Sequence, residues 1–359
     1  MTVAAMERVT DWVNDRLPAV LVKEVRQGLS RSVFLIEFYG FHVVLACITL
    51  WQMAEAQQYE DFGGLARSSG TRGVFWFLMA LYMIIIVPLM NINAVASEVT
   101  GRTIELMKMS GLSARKIVWG KWLYQCLYLA MITLSTFPYL FSYYLVAGGD
   151  LMMEVRLMLG LGFGSILVTG LAIGISPIGS SRFRPMIFLG LMIFFFAGGV
   201  QLFSYFFGFR RGVSFGDSAL TLFLLGTPLT LFALELGTAK ISSRVEGNAL
   251  AIRLIGLVLV GVPGLMILGN LNAEFATGFA SGAIVIIPWS VMLTQPVLAA
   301  GAYGQYLKYG YFGRFMGRLF FYPGWVSGVM YCTVLIGLYD IMILLLNHSV
   351  SDGDKLEMM

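Results

Sequence analysis

Few residues in this 359-residue chain have the types and spacing that catalysis requires. The only histidines are His42 and His348, and the three cysteines fit no metal site or disulfide framework. No Ser/His/Asp arrangement occurs, and neither an H-E-x-x-H nor a C-x-x-C motif is found. The sequence therefore gives no support to an enzyme or a metalloprotein.

A phosphate-binding loop for ATP is also missing. The pattern G-x-x-x-x-G-K-[ST] needs glycines for a tight backbone cradle and a lysine for the phosphates. The nearest glycine–lysine pair, Gly120–Lys121, lacks the upstream glycine and the following hydroxyl residue. We expect the chain to bind no cofactor and not to hydrolyse ATP itself.

The composition points to a bilayer as the environment of the chain. Hydrophobic residues make up 58% of it and charged residues only 12%, whereas soluble domains average about 45–50% and about 25%. Uncharged stretches of about 20 residues recur, and each could cross a membrane as a helix. This balance excludes a soluble enzyme, a disordered chain and a nucleic-acid binder. It predicts an all-α polytopic integral membrane protein.

The apolar stretches suggest about nine membrane spans. They are Val33–Met53, Val74–Ala96, Trp122–Val146, Leu157–Ile178, Met186–Phe206, Ala219–Leu236, Leu250–Leu268, Phe275–Leu298 and Trp325–Leu346. With the N-terminus in the cytoplasm, eighteen of the 24 Lys and Arg residues fall on the cytoplasmic side, as the positive-inside rule requires. We expect a multi-pass protein of the bacterial inner membrane.

Three ionisable residues within or near these spans are candidate polar sites: Glu37, His42 and Asp340. A charge inside a bilayer is costly, so such a residue is a functional candidate by default. Glu37 lies only about one turn inside its span, and packing is the simpler role for His42. Asp340 is the deepest of the three. A proton-coupled carrier would need more than one deep carboxylate, so this pattern disfavours that function.

The segment before the first span predicts an amphipathic helix over Leu17–Arg31. Its apolar residues recur at helical spacing, and the other face is polar. Such a helix lies in the membrane interface with its basic residues toward anionic headgroups, or it is a cytoplasmic helix held by packing. Its polar residues are Lys23, Glu24, Arg26 and Gln27.

The loop between the second and third spans, Ser97–Lys121, carries too many apolar residues for a simple connection. Its pattern predicts a short helix that ends at Ser110–Gly111 and a new helix with Ser113 as N-cap. Apolar side chains among charges on a short helix indicate docking onto a membrane surface or a partner groove.

This loop resembles the cytoplasmic loop of ABC-2-type exporter permeases, the transmembrane subunits of ATP-binding cassette exporters. The stretch L-V-K-E-V-R-Q before the first span is similar to the N-terminal connecting helix of the same family. The resemblance covers residues 17–240 and six spans. One departure is Arg102, where the family commonly has glycine. The loop residues that carry the resemblance are Glu98, Thr103, Glu105, Leu106, Ser110, Gly111, Leu112, Ser113, Ile117, Gly120 and Lys121.

The resemblance implies a permease that pairs with a second copy or a related chain and sits on two cytoplasmic ABC ATPase subunits. Those subunits would bind ATP and magnesium. The coupling segment would fit a cleft on the ATPase. In this hypothesis Glu105 and Lys108 steer docking, while Ile104, Met107 and Leu112 supply the buried contact.

The resemblance also suggests a domain organisation. Residues 1–32 form a cytoplasmic tail with the interfacial helix, residues 33–240 a six-span core with its coupling loop at 97–121, and residues 241–359 additional spans. Lipids or hydrophobic drugs would suit the aromatic and aliphatic spans as substrates. Two other functions stay open: a stand-alone carrier or channel, and a membrane scaffold subunit that transports nothing.

Overall fold

The computed structural model describes residues 19–30, 32–60, 69–147, 151–178, 184–186, 188–190, 220–242, 249–269, 273–293, 315 and 325–357. These residues are almost entirely helical, and none of them belongs to a β-strand. The helices, numbered here in chain order, are α1 (Ala19–Leu29), α2 (Ser32–Glu60), α3 (Ser69–Ala80), α4 (Val87–Asn91), α5 (Ala96–Thr100), α6 (Thr103–Met109), α7 (Ala114–Ala147), α8 (Leu151–Ile175), α9 (Thr227–Ile241), α10 (Ala249–Leu268), α11 (Ala273–Leu293) and α12 (Trp325–Glu357).

Two π-helical turns interrupt this regular geometry. Leu81–Ile86 joins α3 to α4, and Leu222–Gly226 precedes α9. A π-helical turn shifts backbone hydrogen bonds out of the regular pattern and is common at functional sites. In the first turn, the Ser165 hydroxyl donates a hydrogen bond to the carbonyl of Met83.

Seven helical stretches within the described residues are long and apolar enough to cross a membrane. They are Phe34–Ala54, Gly73–Thr100, Ala114–Ser142, Leu151–Ile175, Leu222–Ile241, Ala249–Leu268 and Ser327–Leu344. Because each helix satisfies its own backbone groups, this is the architecture of a multi-pass helical membrane protein. The predicted fold class is confirmed at this level.

The seven stretches overlap seven of the nine predicted spans. Most of the predicted span Met186–Phe206 lies outside the described residues. The predicted span Phe275–Leu298 coincides largely with α11, which is not among the seven. The total of nine and the cytoplasmic N-terminus stay predictions.

The chain divides into two compact units. The first comprises Met1–Asn91 and Lys116–Thr169, and the second comprises Ile92–Arg115 and Gly170–Met359. In the first unit, α2, α3, the first π-helical turn and α7 contribute side chains that are fully buried, such as Leu45, Met79, Met83, Leu129 and Ile132.

The core of the second unit lies among α9, α10, α11, α12 and the end of α8. Residues on both sides of position 240 share this core, for example Phe232 and Leu259. The end of α8 and α9 approach so closely that a Cβ added at Gly174 would lie 2.4 Å from the Ala233 carbonyl oxygen. Glycine therefore permits the α8–α9 contact inside one chain.

Candidate functional site

The loop between the second and third spans folds as the sequence predicts, into a short helix, a turn and a new helix. The short helix is α6, and α7 begins at Ala114, directly after the predicted N-cap Ser113. The helix α5, which precedes α6, was not predicted from the sequence. We call the stretch from α5 to the start of α7 the coupling segment, residues 96–116.

A single buried hydroxyl group fixes the start of the coupling segment. The backbone N–H groups of Val95 and Ala96 both donate to the Ser176 Oγ, each at 3.0 Å. N–H groups in the first turn of a helix have no partner within the helix, so a side-chain oxygen there stabilises the helix start. Ser176 follows α8 and is completely buried. Sequence reasoning missed it, since its partners lie about 80 positions away and a lone serine gives no signal.

Two backbone positions in the left-handed region frame α6. Arg102, just before the helix, has φ of 56°, and Gly111, just after it, has φ of 85°. Left-handed backbone strains residues with a Cβ, and glycine adopts it without cost.

The end of α6 is a Schellman turn. The Gly111 N–H donates to the Lys108 carbonyl at 2.9 Å, and the Leu112 N–H donates to the Met107 carbonyl at 3.3 Å. This pair of bonds satisfies carbonyl groups that the helix end leaves open, and it requires a left-handed residue, which Gly111 supplies. The predicted stop at Ser110–Gly111 is confirmed with its physical cause.

Two polar contacts hold α6 and the start of α7 to α9. The Lys108 ammonium donates to the carbonyl of Ile241, the last residue of α9. The Arg115 guanidinium pairs with the Glu235 carboxylate at 2.9 Å, and Glu235 is almost fully buried. Lys108 is therefore engaged within its own unit, whereas the sequence hypothesis gave it a steering role toward a partner.

The apolar residues of α6 divide between two faces. Ile104 is buried, with 6% of its surface exposed, so it packs within the chain and is not presented to a partner. Leu106 and Met109 are 66% and 84% exposed. Of the remaining predicted residues, Met107 and Leu112 are half-buried. The surface available for docking is thus centred on Leu106 and Met109, which the sequence hypothesis did not assign as buried contacts.

The polar residues of the coupling segment are mostly solvent-facing. Thr103 and Glu105 are exposed, while Glu98 and Ser113 are half-buried. The Thr103 hydroxyl donates to the Glu98 carbonyl at 3.2 Å, across the left-handed turn. Glu105 keeps the exposed position that a steering role requires.

The predicted amphipathic helix is present as α1, within the first unit. Its apolar residues Val20 and Leu21 are buried, and a Cβ added at Gly120 of α7 would lie 2.8 Å from a Val20 methyl group. Packing of Val20 on α7 therefore contributes to holding α1, and the interfacial location of this helix stays a prediction. Arg26 and Gln27 are exposed on the other face.

An ion pair ties α1 to α7. Lys121 donates to the Glu24 carboxylate at 2.9 Å, and both side chains are largely buried. Lys23 lies 3.9 Å from the same carboxylate. A second close approach lies one turn along α1, where a Cβ at Gly28 would overlap the Tyr124 hydroxyl. Two stretches that are 97 positions apart in the sequence, around Glu24 and around Lys121, thus meet in one contact.

The three candidate intramembrane sites differ in their surroundings. Glu37 accepts a hydrogen bond from the Tyr82 hydroxyl at 3.2 Å. The ring nitrogens of His42 lie 2.8 Å from the Phe38 carbonyl and 2.9 Å from the Ser135 hydroxyl. Asp340 lies on α12 with an exposed side chain. The structure thus brings Glu37 and His42 into one unit and leaves Asp340 in the other.

No protein-family model, curated protein or solved structure matches this chain.

Proposed function

We propose that the chain is the transmembrane permease subunit of an ABC-type exporter. A separate cytoplasmic ATPase, binding ATP and magnesium, would drive transport, and a second permease copy would complete the pathway. The resemblance of residues 17–240 to ABC-2 permeases supports this proposal, together with the helical membrane architecture.

One observation carries the proposal: α6 exposes two large apolar side chains while the residues around it are fixed. Leu106 and Met109 are exposed. Hydrogen bonds to Ser176 and Ile241 and an ion pair with Glu235 hold the coupling segment in place. A helix that only connects two spans needs no apolar outer face. An exposed apolar pair on a braced support is typical of a docking surface.

The bracing also gives the proposed docking a mechanical consequence. A partner that pushes on α6 acts on a segment tied by side-chain contacts to α9 and to the end of α8. A ligand shifts a protein between two states only by binding them with different affinity. ATP-driven movement of the ATPase cleft would supply that difference at α6 and transfer it to the spans through these contacts.

Purification of the tagged full-length chain from its native membrane in mild detergent tests the proposal. We expect a near-stoichiometric ATPase to co-purify. Leu106→Asp and Met109→Asp should each reduce the bound ATPase, because burying such a side chain contributes about 1.5–3 kcal/mol, which corresponds to roughly ten- to a hundredfold in affinity.

Met152→Asp is the matched control. Met152 is another exposed methionine, 59% accessible, at the start of α8 and on the predicted outer side. This variant should retain the ATPase. A chain that purifies alone, or an ATPase that stays bound to both α6 variants, would overturn the proposal and favour a carrier or a scaffold.

A further inference from the structure

Glu37 is a carboxylate inside an apolar helical stretch that is long enough to cross a membrane. It is the fourth residue of the apolar stretch Phe34–Ala54, so it sits about 5 Å inside that stretch by helical rise. Its side chain is half-buried. Ionisable groups at such positions are costly and are retained for pairing or for function.

Two phenol groups surround the Glu37 carboxylate. The Tyr82 hydroxyl donates to it at 3.2 Å and lies 2.9 Å from the Tyr128 hydroxyl. These groups stabilise a negative charge, but two phenolic protons fill at most two of the roughly four acceptor positions of a carboxylate. The charge itself is not neutralised by them.

Within the described residues, no cationic side chain pairs with Glu37. His42, the nearest basic side chain along α2, has both ring nitrogens engaged by Phe38 and Ser135. Among the described residues of the first unit, Lys121 and Lys23 form ion pairs with Glu24. When ionised, a half-buried carboxylate without a protein counter-charge attracts a cation from outside the chain.

Aromatic rings form the surroundings of this carboxylate. Phe41 stacks on Tyr82 with ring centroids 3.8 Å apart. Phe34 meets Tyr128 edge-on at 5.8 Å and also stacks with Phe38. Phe34 and Phe38 are only half-buried, which leaves part of their ring surfaces accessible. The faces of aromatic rings attract organic cations and bind their apolar substituents as well.

The local backbone is a second and independent indication of a site. Tyr82 belongs to the π-helical turn Leu81–Ile86, and π-helical turns inside α-helices are frequent at functional sites. The turn places the Tyr82 hydroxyl between the carboxylate of α2 and the phenol of α7.

A metal ion fits these groups poorly. One carboxylate and two neutral phenols offer few oxygens, whereas calcium takes six to eight oxygen ligands and magnesium an octahedron. The described residues also contain no cluster of three His, Cys, Asp or Glu side chains. A carboxylate among aromatic rings inside an apolar helical stretch is better suited to an organic cation with apolar substituents.

We propose that Glu37, Tyr82 and Tyr128, with the rings of Phe34, Phe38 and Phe41, form a binding site for a lipophilic organic cation. Glu37 supplies the counter-charge and the rings contact the apolar body. That such a cation is the exported substrate rests on the proposed permease function. The binding site itself does not, since it lies entirely within the first unit of this chain.

Binding of tetraphenylphosphonium to the purified full-length protein tests the site. Tetraphenylborate has nearly the same size and shape and the opposite charge, so it separates charge recognition from simple partition into detergent. We expect saturable binding of the cation that is weakened about tenfold or more in Glu37→Gln. Tyr128→Phe, which keeps the ring and removes the hydroxyl, should weaken it less. Tetraphenylborate binding should be the same in all variants.

Asp340→Asn is the matched control, since it neutralises another carboxylate in an apolar helix, exposed and in the other unit. It should leave cation binding unchanged. If Glu37→Gln does not fold, carbodiimide labelling of the unaltered protein replaces it: tetraphenylphosphonium should slow labelling of Glu37 and not of Asp340, as read by peptide mass spectrometry.

Several results would overturn the site: equal binding of both ions, unchanged binding in a folded Glu37→Gln variant, or no protection of Glu37. ATP-driven export of the cation by the protein with its ATPase is a separate measurement. Binding at Glu37 without export would keep the site and reject the exporter. Export that is unaffected by Glu37→Gln would keep the exporter and reject the site.

Discussion

The ion pair between Glu24 of α1 and Lys121 of α7 allows a quantitative test of how α1 is held. The two charged atoms are 2.9 Å apart, and the side chains are 17% and 8% exposed. Removing one member of a buried pair leaves an uncompensated charge, which costs about 3–5 kcal/mol. Replacing both members by apolar residues of similar size removes the charge and its partner together, and is often close to neutral.

The expected magnitudes follow from these contacts. Lys121→Met should cost about 2–3 kcal/mol, at or below the lower end of the range, because Lys23 lies 3.9 Å from Glu24 and can partly replace the lost charge. Glu24→Leu should cost about 3 kcal/mol or more, since Lys121 then keeps a buried charge without that partner. The double variant should lie within about 1 kcal/mol of the original protein, which makes the two effects strongly non-additive.

Equilibrium unfolding of the purified protein in mixed micelles measures this double-mutant cycle. Trp119 and Trp122 lie beside Lys121 on α7 and provide intrinsic fluorescence near the contact. A coupling energy of about 2 kcal/mol or more would support the reasoning. Costs that simply add, with a coupling energy near zero, would show that the pair contributes nothing beyond its separate side chains.

Two further substitutions test the turns and helix contacts of the second unit. Arg102→Gly should raise the free energy of unfolding by up to about 1 kcal/mol, because glycine adopts the left-handed backbone, with φ of 56°, without strain. A loss of stability in the same unfolding assay would mean that the arginine side chain stabilises the protein by more than its backbone strain costs. Gly174→Ala should lower the free energy of unfolding by about 1–3 kcal/mol, since the new Cβ would lie 2.4 Å from the Ala233 carbonyl oxygen. Gly261→Ala in α10, with open space at its Cβ, is the control, and equal effects of the two alanines would contradict the close contact.

The local features of the coupling segment could be predicted from the sequence. The Ser110–Gly111 pair and the following Leu112 are typical of a helix end, and the structure forms the Schellman turn at that place. The amphipathic pattern of α1 likewise predicted its helix correctly. Such features depend on residues within a few positions of one another, so a single sequence contains the information.

Long-range contacts could not be predicted in the same way. Glu235 stands near Lys240 in the sequence but pairs with Arg115, 120 positions away. The helical pattern of α6 identifies an apolar face but does not say whether that face packs inward. Ile104 proved to be buried and Leu106 and Met109 exposed, because tertiary packing decides which face turns inward, and no local pattern encodes that packing.

The two left-handed residues around α6 have a consequence for how this segment can change in evolution. Arg102 and Gly111 fix the start and end of the helix independently of the side chains between them. A residue inserted between Leu106 and Met109 would turn the following part of α6 by about 100°, which would carry Met109 away from Leu106. We therefore expect substitutions on the outer face to leave the ends of α6 in place, and insertions or deletions to separate the exposed pair. The spacing of these two turns, more than the identity of the residues between them, therefore sets the length of α6 and which of its side chains share the outer face.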